Sequence, residues 1–341
     1  MKISKHILLA FAGILNVVSC SLIDDDLSTC EPDCHLDYSL QLVTNMTAEL
    51  KTQLSLESDI QVSAVLNNYL GSVFTDFAHD VDLSFYDVTG DSLRLHHEAH
   101  VMDASESTYT LFIPVRNYMH LAVANVEKEP LVSLVDADKC HHSALVQTLG
   151  DTIPSHRSAL FTARQPMKVL EREDQEFDVS LFMVNCASAL VLDTLQSGVR
   201  DVKVYMKGFA TSFDICDSLY HFDRSPVVKA DSLPADGGDK LCFSAIHFPS
   251  RRSSTKAVVE IEDEGSEGDG TTLWQIAVYC RLPDGTITET VLDMTRFIAP
   301  GCVRVVKGTV TREGSVEPTD HAVGVSVTLD WKKGGEQIIV L

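Results

Sequence analysis

The sequence predicts an all-β protein built of β-sandwiches, and three observations predict it. Apolar and polar residues alternate along many short segments, as in Leu36, Tyr38, Leu40 and Leu42, and a period of two puts such residues on one face of a strand. Turn signals such as Thr89-Gly90-Asp91 and Pro283-Asp284-Gly285 recur between the segments, which suits hairpins rather than βαβ units. The chain has 341 residues, 45% apolar and 22% charged, enough core material for two domains of about 150 residues each.

The elements follow in order. His35 to Leu42 reads as the first strand, with Leu36, Tyr38, Leu40 and Leu42 on one face. Residues 46–79 break the pattern: Met46, Leu50, Leu54, then Val62, Val65, Leu66, Tyr69 and Val73 fall at helical spacing, which predicts one or two short helices in the first domain. Val81 to Asp87 alternates again, and Leu93, Leu95 and His97 share a face of the return strand. Thr108–Pro114 and His120–Val126 are two further strands, with Pro114 at a strand end where its missing N–H costs nothing. Residues 163–176 are charged and contain Pro166, which places the domain boundary there: a first domain over 36–168 and a second over 169–341. Phe177 to Thr194 then reads as one long strand-like run. Val199–Met206, Val258–Ile261, Leu273–Cys280, Gly324–Trp331 and Gln337–Leu341 complete the second domain.

The N-terminus carries the sharpest local signal. Lys2, Lys5 and His6 precede a nine-residue apolar run from Ile7 to Leu15, the pattern of an export signal and too short to span a bilayer. Val17, Val18 and Ser19 then lead to Cys20. This resembles a bacterial lipobox, with a signal peptide over 1–19 and a lipidated tether over 20–35. Cys20 supplies the thiol that is acylated and anchored in outer-membrane lipid; a plain secretory signal with an incidental cysteine is the alternative. More than one acyl chain gives stable anchoring, at about 0.8 kcal/mol per buried CH₂. Asp24, Asp25 and Asp26 follow, either a solvated tether or a cluster resembling the surface-export signal of Bacteroidetes lipoproteins.

A formal net charge of −22 repels phosphate backbones and argues against a nucleic-acid partner. Nine cysteines suit an exported chain. Cys30 and Cys34 are close enough for a local bridge across the Pro32 turn. Cys186, Cys216, Cys242, Cys280 and Cys302 lie in the second half as buried thiols or disulfides, with pairing open.

Few constellations offer chemistry. His96, Glu98 and His100 fall at i, i+2 and i+4 on one strand and share a face; this is a candidate metal site beside the plainer reading of a polar strand face. Cys140-His141-His142 is a second, in a loop-like stretch. Asp263 to Gly270 looks like a calcium loop but has Gly265 at the third position and Trp274 at the twelfth, where a bidentate Glu is needed. No nucleophile elbow, P-loop or dinucleotide fingerprint is present, so no cofactor and no catalytic residue is assigned, and a non-enzyme is expected. Five Asp-Ser/Thr-apolar triplets begin at Asp91, Asp151, Asp193, Asp217 and Asp231; they resemble the O-glycosylation site of exported Bacteroidetes proteins.

Taken in order, these features resemble the FimB-type fimbrial anchor lipoproteins of Bacteroidales. The carriers are Cys20 closing its lipobox, the acidic stretch, Cys30 and Cys34, and an alternating strand leading into Asn45-Met46-Thr47. Val81 to Gly90, Tyr109 to Tyr118, and Val325 to Trp331 with Gln337 to Leu341 follow. The resemblance implies two transthyretin-like, Greek-key β-sandwich domains and no catalysis. It also implies that the protein fixes a fimbrium to the outer membrane, on the cell surface, and limits its length, with shaft subunits docking by strand or edge pairing. The competing reading is a surface glycan-binding or adhesin lipoprotein. Such proteins display aromatic platforms, whereas the two tryptophans, Trp274 and Trp331, sit inside strand patterns and are expected in the core.

Overall fold

The computed structural model describes residues 33–43, 60–74, 78, 80–89, 92–99, 108–135, 138–171, 175–199, 201–234, 239–251, 271–319 and 323–331. The first half contains β1 (Asp33–Val43), helix α1 (Ile60–Phe74), β2 (Asp82–Asp87), β3 (Arg94–Glu98), β4 (Thr108–Pro114), β5 (Asn117–Ala124), β6 (Val132–Val135), β7 (Ala144–Gln147), β8 (Thr152–Pro154), β9 (Phe161–Lys168) and β10 (Gln175–Met183). The second half contains β11 (Cys186–Asp193), β12 (Asp201–Lys207), β13 (Ser212–Asp214), β14 (Leu219–His221), β15 (Val227–Lys229) and β16 (Asp231–Leu233). It continues with β17 (Lys240–His247), β18 (Trp274–Arg281), β19 (Ile287–Met294), β20 (Val303–Val310), β21 (Val316–Pro318) and β22 (Val323–Trp331). The protein is all-β, with one described helix of 15 residues; no described helix is long and apolar enough to cross a membrane.

A seven-stranded sheet in the order β3-β2-β5-β9-β10-β1-β4 forms the first unit. It folds over between β9 and β10, which share only the pairs Phe182↔Thr162 and Met183↔Phe161. The two resulting layers face each other. Tyr38 of β1 and His120 of β5, both fully buried, meet across the core in a hydroxyl–imidazole hydrogen bond with their rings edge-on. The edge strands also meet, because the Tyr109 hydroxyl of β4 donates to Glu98 of β3 at 2.6 Å. Phe85, Leu83, Leu111, Tyr118, Phe161 and Leu181 fill the space between the layers.

Val62, Leu66, Leu70 and Phe74 are all buried along one stripe of α1, the i, i+4 spacing that a packed helix requires. Leu70 and Phe74 enter the first core. Val62 and Leu66 cover Ala189 and Val191 of β11 and Cys242 of β17. Strand β11 is therefore covered on both sides, and its continuous apolar run follows from that.

The second unit packs a five-stranded sheet, β16-β17-β11-β20-β21, on a six-stranded one, β22-β19-β18-β12-β15-β8. Leu190, Leu192, Phe243 and Val306 meet Val204, Met206, Ile276 and Leu292 between them. Trp274 is buried, and its indole N–H donates to the Arg296 carbonyl at 2.8 Å. Gly208, at φ +104°, ends β12 beside it; a Cβ there would sit 2.6 Å from the Trp274 Cα, so only glycine fits.

The halves exchange elements. Strand β8 of the first pairs in parallel with β15 of the second. The β13–β14 hairpin of the second pairs with β7, completing a four-stranded sheet β14-β13-β7-β6. That small sheet covers Tyr86, Leu121 and Val123 on the outer side of β2 and β5. The boundary expected at 168 falls within the first sheet, because β10 pairs with β1 over eight positions. In the described part of the charged stretch around Pro166, Arg164, Pro166 and Lys168 are exposed while Ala163 and Met167 are buried, so its composition is that of the solvent-facing side of β9. The run from Phe177 to Thr194 is two strands. The chain leaves the first sheet at Val184-Asn185, where the buried Asn185 side chain accepts from Leu160 N–H and donates to the Ser158 carbonyl.

Candidate functional site

His96 and Glu98 share a face of edge strand β3, as their spacing predicts, and lie 2.7 Å apart. The second Glu98 oxygen accepts the Tyr109 hydroxyl, which pushes the tyrosine pKa up because the bond is lost on ionisation. Both carboxylate oxygens are thus engaged in a strut between the two edges of the first sheet. His100 lies outside the described residues. Leu93, Leu95 and His97 do share a face, but it is the outer one; Leu93 and Leu95 are 46% and 45% exposed.

Cys140, His141 and His142 form a 3-10 turn rather than an irregular loop. Cys140 is disulfide-bonded to Cys216 across 76 residues. His141, Cys216 and Asp217 present donor atoms within 4.8 Å of one another, but the Cys216 sulfur is committed to the bridge. That leaves an exposed His141–Asp217 pair at 3.4 Å, too few ligands for a metal centre. The bridge ties the turn before β7 to the hairpin donated by the second half. Sequence reading missed its partner because nothing local links positions 140 and 216.

The buried polar groups are structural. A carbonyl can only accept, so His120 Nδ1 carries the proton that bonds the Ser84 carbonyl, and the Tyr38 hydroxyl donates to Nε2. His247 repeats the logic, with Nδ1 donating to the Phe248 carbonyl and Nε2 accepting from Ser188, while the ring stacks on Phe209. Burial pushes His120 down to about 4, and His156 and His247 down to about 3. Glu129, also buried, accepts the backbone N–H groups of Arg157, Ser158 and Leu131. Burial nonetheless raises its pKa. None of these groups lines an open cleft.

What the fold offers outward is sheet edge. Strand β22, nine residues long, is the longest strand at the end of any sheet among the described residues. It pairs with β19 on one side, through a register shift between Ile287 and Glu289. No described strand pairs with its other side, a span of roughly 30 Å at about 3.4 Å per residue. Val325 on it is 45% exposed. The expected closing strand Gln337–Leu341 lies outside the described residues, as do Val17, Val18, Ser19, Cys20, Cys30 and the acidic segment from Asp263 to Gly270. Cys34 falls within β1, but its side chain lies outside the description. Of the five Asp-Ser/Thr-apolar triplets, Thr152, Ser218 and Ser232 are exposed. Thr194 is fully buried and donates to the Asp239 carbonyl at 2.7 Å.

No family model and no curated protein matches the sequence. Solved structures do. A candidate adhesin from Bacteroides ovatus superposes with a TM-score of 0.52 at 11% identity, covering 93% of this chain and 100% of that one. A second, from Bacteroides ovatus ATCC 8483, gives 0.50 at 13% identity, with 79% and 85% covered. The fimbrial anchor protein Mfa2 from Porphyromonas gingivalis gives 0.48 at 8% identity, with 87% and 99% covered. What the chain shares with the two Bacteroides ovatus proteins is the fold.

Proposed function

We propose that this chain is a cell-surface fimbrial protein of the adhesin type, held in the outer membrane by lipid on Cys20, that fixes a fimbrium and limits its length. The observation that carries the reading is an all-β fold shared over 93% of this chain with a candidate adhesin, in which β22 ends its sheet among the described residues. A sheet edge recognises an incoming strand through main-chain hydrogen bonds, so a shaft subunit docks there without any catalytic group. The export signal and Cys20 supply the membrane end. Phosphate-bearing partners are disfavoured by the net charge of −22. Glycan binding is the second reading, and Trp274, being buried, offers it no platform.

Two variants test the proposal. Removing Gln337–Leu341, the segment that follows β22, is expected to release fimbriae into the medium while the protein stays with the cell; normal retention of fimbriae overturns the docking assignment. Cys20→Ala is expected to move the protein itself from the membrane fraction to the medium, and an unchanged membrane fraction overturns the lipid anchor.

A further inference from the structure

Cys186 begins β11, and Cys302 immediately precedes β20, the strand paired in parallel with it. The pairing Ala187↔Val303 opens the β11–β20 ladder, and one step earlier it sets Cys186 abreast of Cys302. Two backbone bonds bracket that step: Gly301 N–H to the Asn185 carbonyl at 2.9 Å, and Ala187 N–H to the Cys302 carbonyl at 3.0 Å. Neighbouring strands run about 4.8 Å apart, inside the roughly 4.4–6.8 Å Cα separation that a disulfide spans. Residues paired in register project to the same side of a sheet. Accordingly, Cys186 is a buried member of the second core, and Cys302 packs against that same core while keeping partial exposure. Cys242 belongs to a different cluster, under α1. Cys280 lies on β18 of the opposing sheet, where its partners in the ladder are Val202 and Thr288.

We propose that Cys186 and Cys302 are a redox pair that closes a second disulfide in an oxidising compartment and stitches β11 to β20 where the chain passes from the first sandwich to the second. The position has mechanical meaning, because Val184-Asn185 is the only backbone passage from β10 into β11, and Ala187 and Val303 pack into the first core. A covalent stitch there holds the entry to the second unit even when the β11–β20 hydrogen bonds yield.

The chemistry balances with a disulfide-bearing oxidant, either a thiol oxidase or a small-molecule disulfide. Cys302, the accessible thiol, attacks as thiolate and displaces one thiol of the oxidant, leaving a mixed disulfide on Cys302. Cys186 then loses its proton and attacks the Cys302 sulfur, expelling the second thiol. The two cysteines give up two protons and two electrons, and one disulfide of the oxidant becomes two thiols. The order follows from burial: the Cys186 thiol is pushed well up by burial and by the neighbouring Cys302, so it is the poorer first nucleophile.

The test uses the purified chain with oxidised glutathione, followed by denaturation, thiol alkylation and peptide mass mapping. The expected result is a linked Cys186–Cys302 peptide pair and two fewer alkylated thiols per chain, with Cys140–Cys216 oxidised throughout. Cys186→Ala should trap a stable glutathione adduct on Cys302, and Cys302→Ser should abolish both products. Full alkylation of both residues in the wild-type chain, or Cys302 linked to a second chain or to another cysteine, overturns the proposal. The readout is chemical and needs no cell surface, so its failure leaves the fimbrial assignment standing, and the converse holds.

Discussion

Breaking the Cys140–Cys216 bridge is the perturbation whose size the structure sets most directly. The bridge closes a loop of 76 residues. The chain-entropy relation then gives about 4.5 kcal/mol of stabilisation at 25 °C, through restriction of the unfolded chain. Spread over a chain of 341 residues, at about 2.1 cal/mol/K per residue, that is a fall of about 6 °C in melting temperature. The structural consequence is local as well. Without the bridge, the hairpin from Ser212 to His221 is held to the first half by the short β13–β7 ladder of three pairs and by Phe213, Ile215 and Phe248 in the shared core. The assay compares wild type with the Cys140→Ala/Cys216→Ala chain by thermal unfolding with and without reductant, with limited proteolysis read by mass. The double variant should melt lower, and its early cuts should fall within residues 212–221. A double variant that melts with the wild type, with cuts elsewhere first, would refute the view that this bridge holds the exchanged hairpin.

Other expectations follow from the same geometry. Stability should fall as the solution is acidified below about pH 6.5. The unfolded chain protonates His120, His156 and His247 there, whereas the fold holds them neutral down to about 4, 3 and 3. Each contributes about 1.4 kcal/mol per pH unit between its two values, and denaturant midpoints from pH 7 to pH 5 should show a smaller slope in His247→Gln. Tyr109→Phe removes the strut to Glu98 and should cost about 1–2 kcal/mol, with hydrogen exchange rising first in β3 and β4. Leu66→Ala removes a fully buried side chain between α1 and β11 and should cost about 2–5 kcal/mol in chemical denaturation. Val325→Pro on the β22 edge should leave the core melting transition in place while abolishing strand-mediated capture of fimbriae, measured by co-sedimentation.

Alternation along a strand reports which side chains share a face, and that is why so much of the secondary structure was legible. Tyr38, Val204, Leu273 and Trp274 are buried as their patterns imply, and the helical spacing of Val62, Leu66 and Tyr69 falls on α1. Pro114 ends β4, and Gly285 turns at φ +85° beneath Pro283-Asp284. Periodicity names a face but not what covers it. Leu93 and Leu95 share a face as their spacing predicts, and that face points to solvent. The polar pair His96 and Glu98 looks like a ligand set, yet it meets the far edge of the same sheet through Tyr109.

The amino-acid sequence by itself determined the all-β class and the apolar stripe of the helix, because each of these is written in residues that lie near one another along the chain. Only the tertiary structure decided that β10 stays in the first sheet, that a hairpin and a short strand are exchanged between the halves, that Cys140 finds Cys216, and that β22 ends its sheet among the described residues. Those outcomes depend on contacts between positions many tens of residues apart, such as Tyr38 with His120 across 82 residues. Such contacts are selected by the closing of two layers over a common core, and local pattern carries no record of that choice.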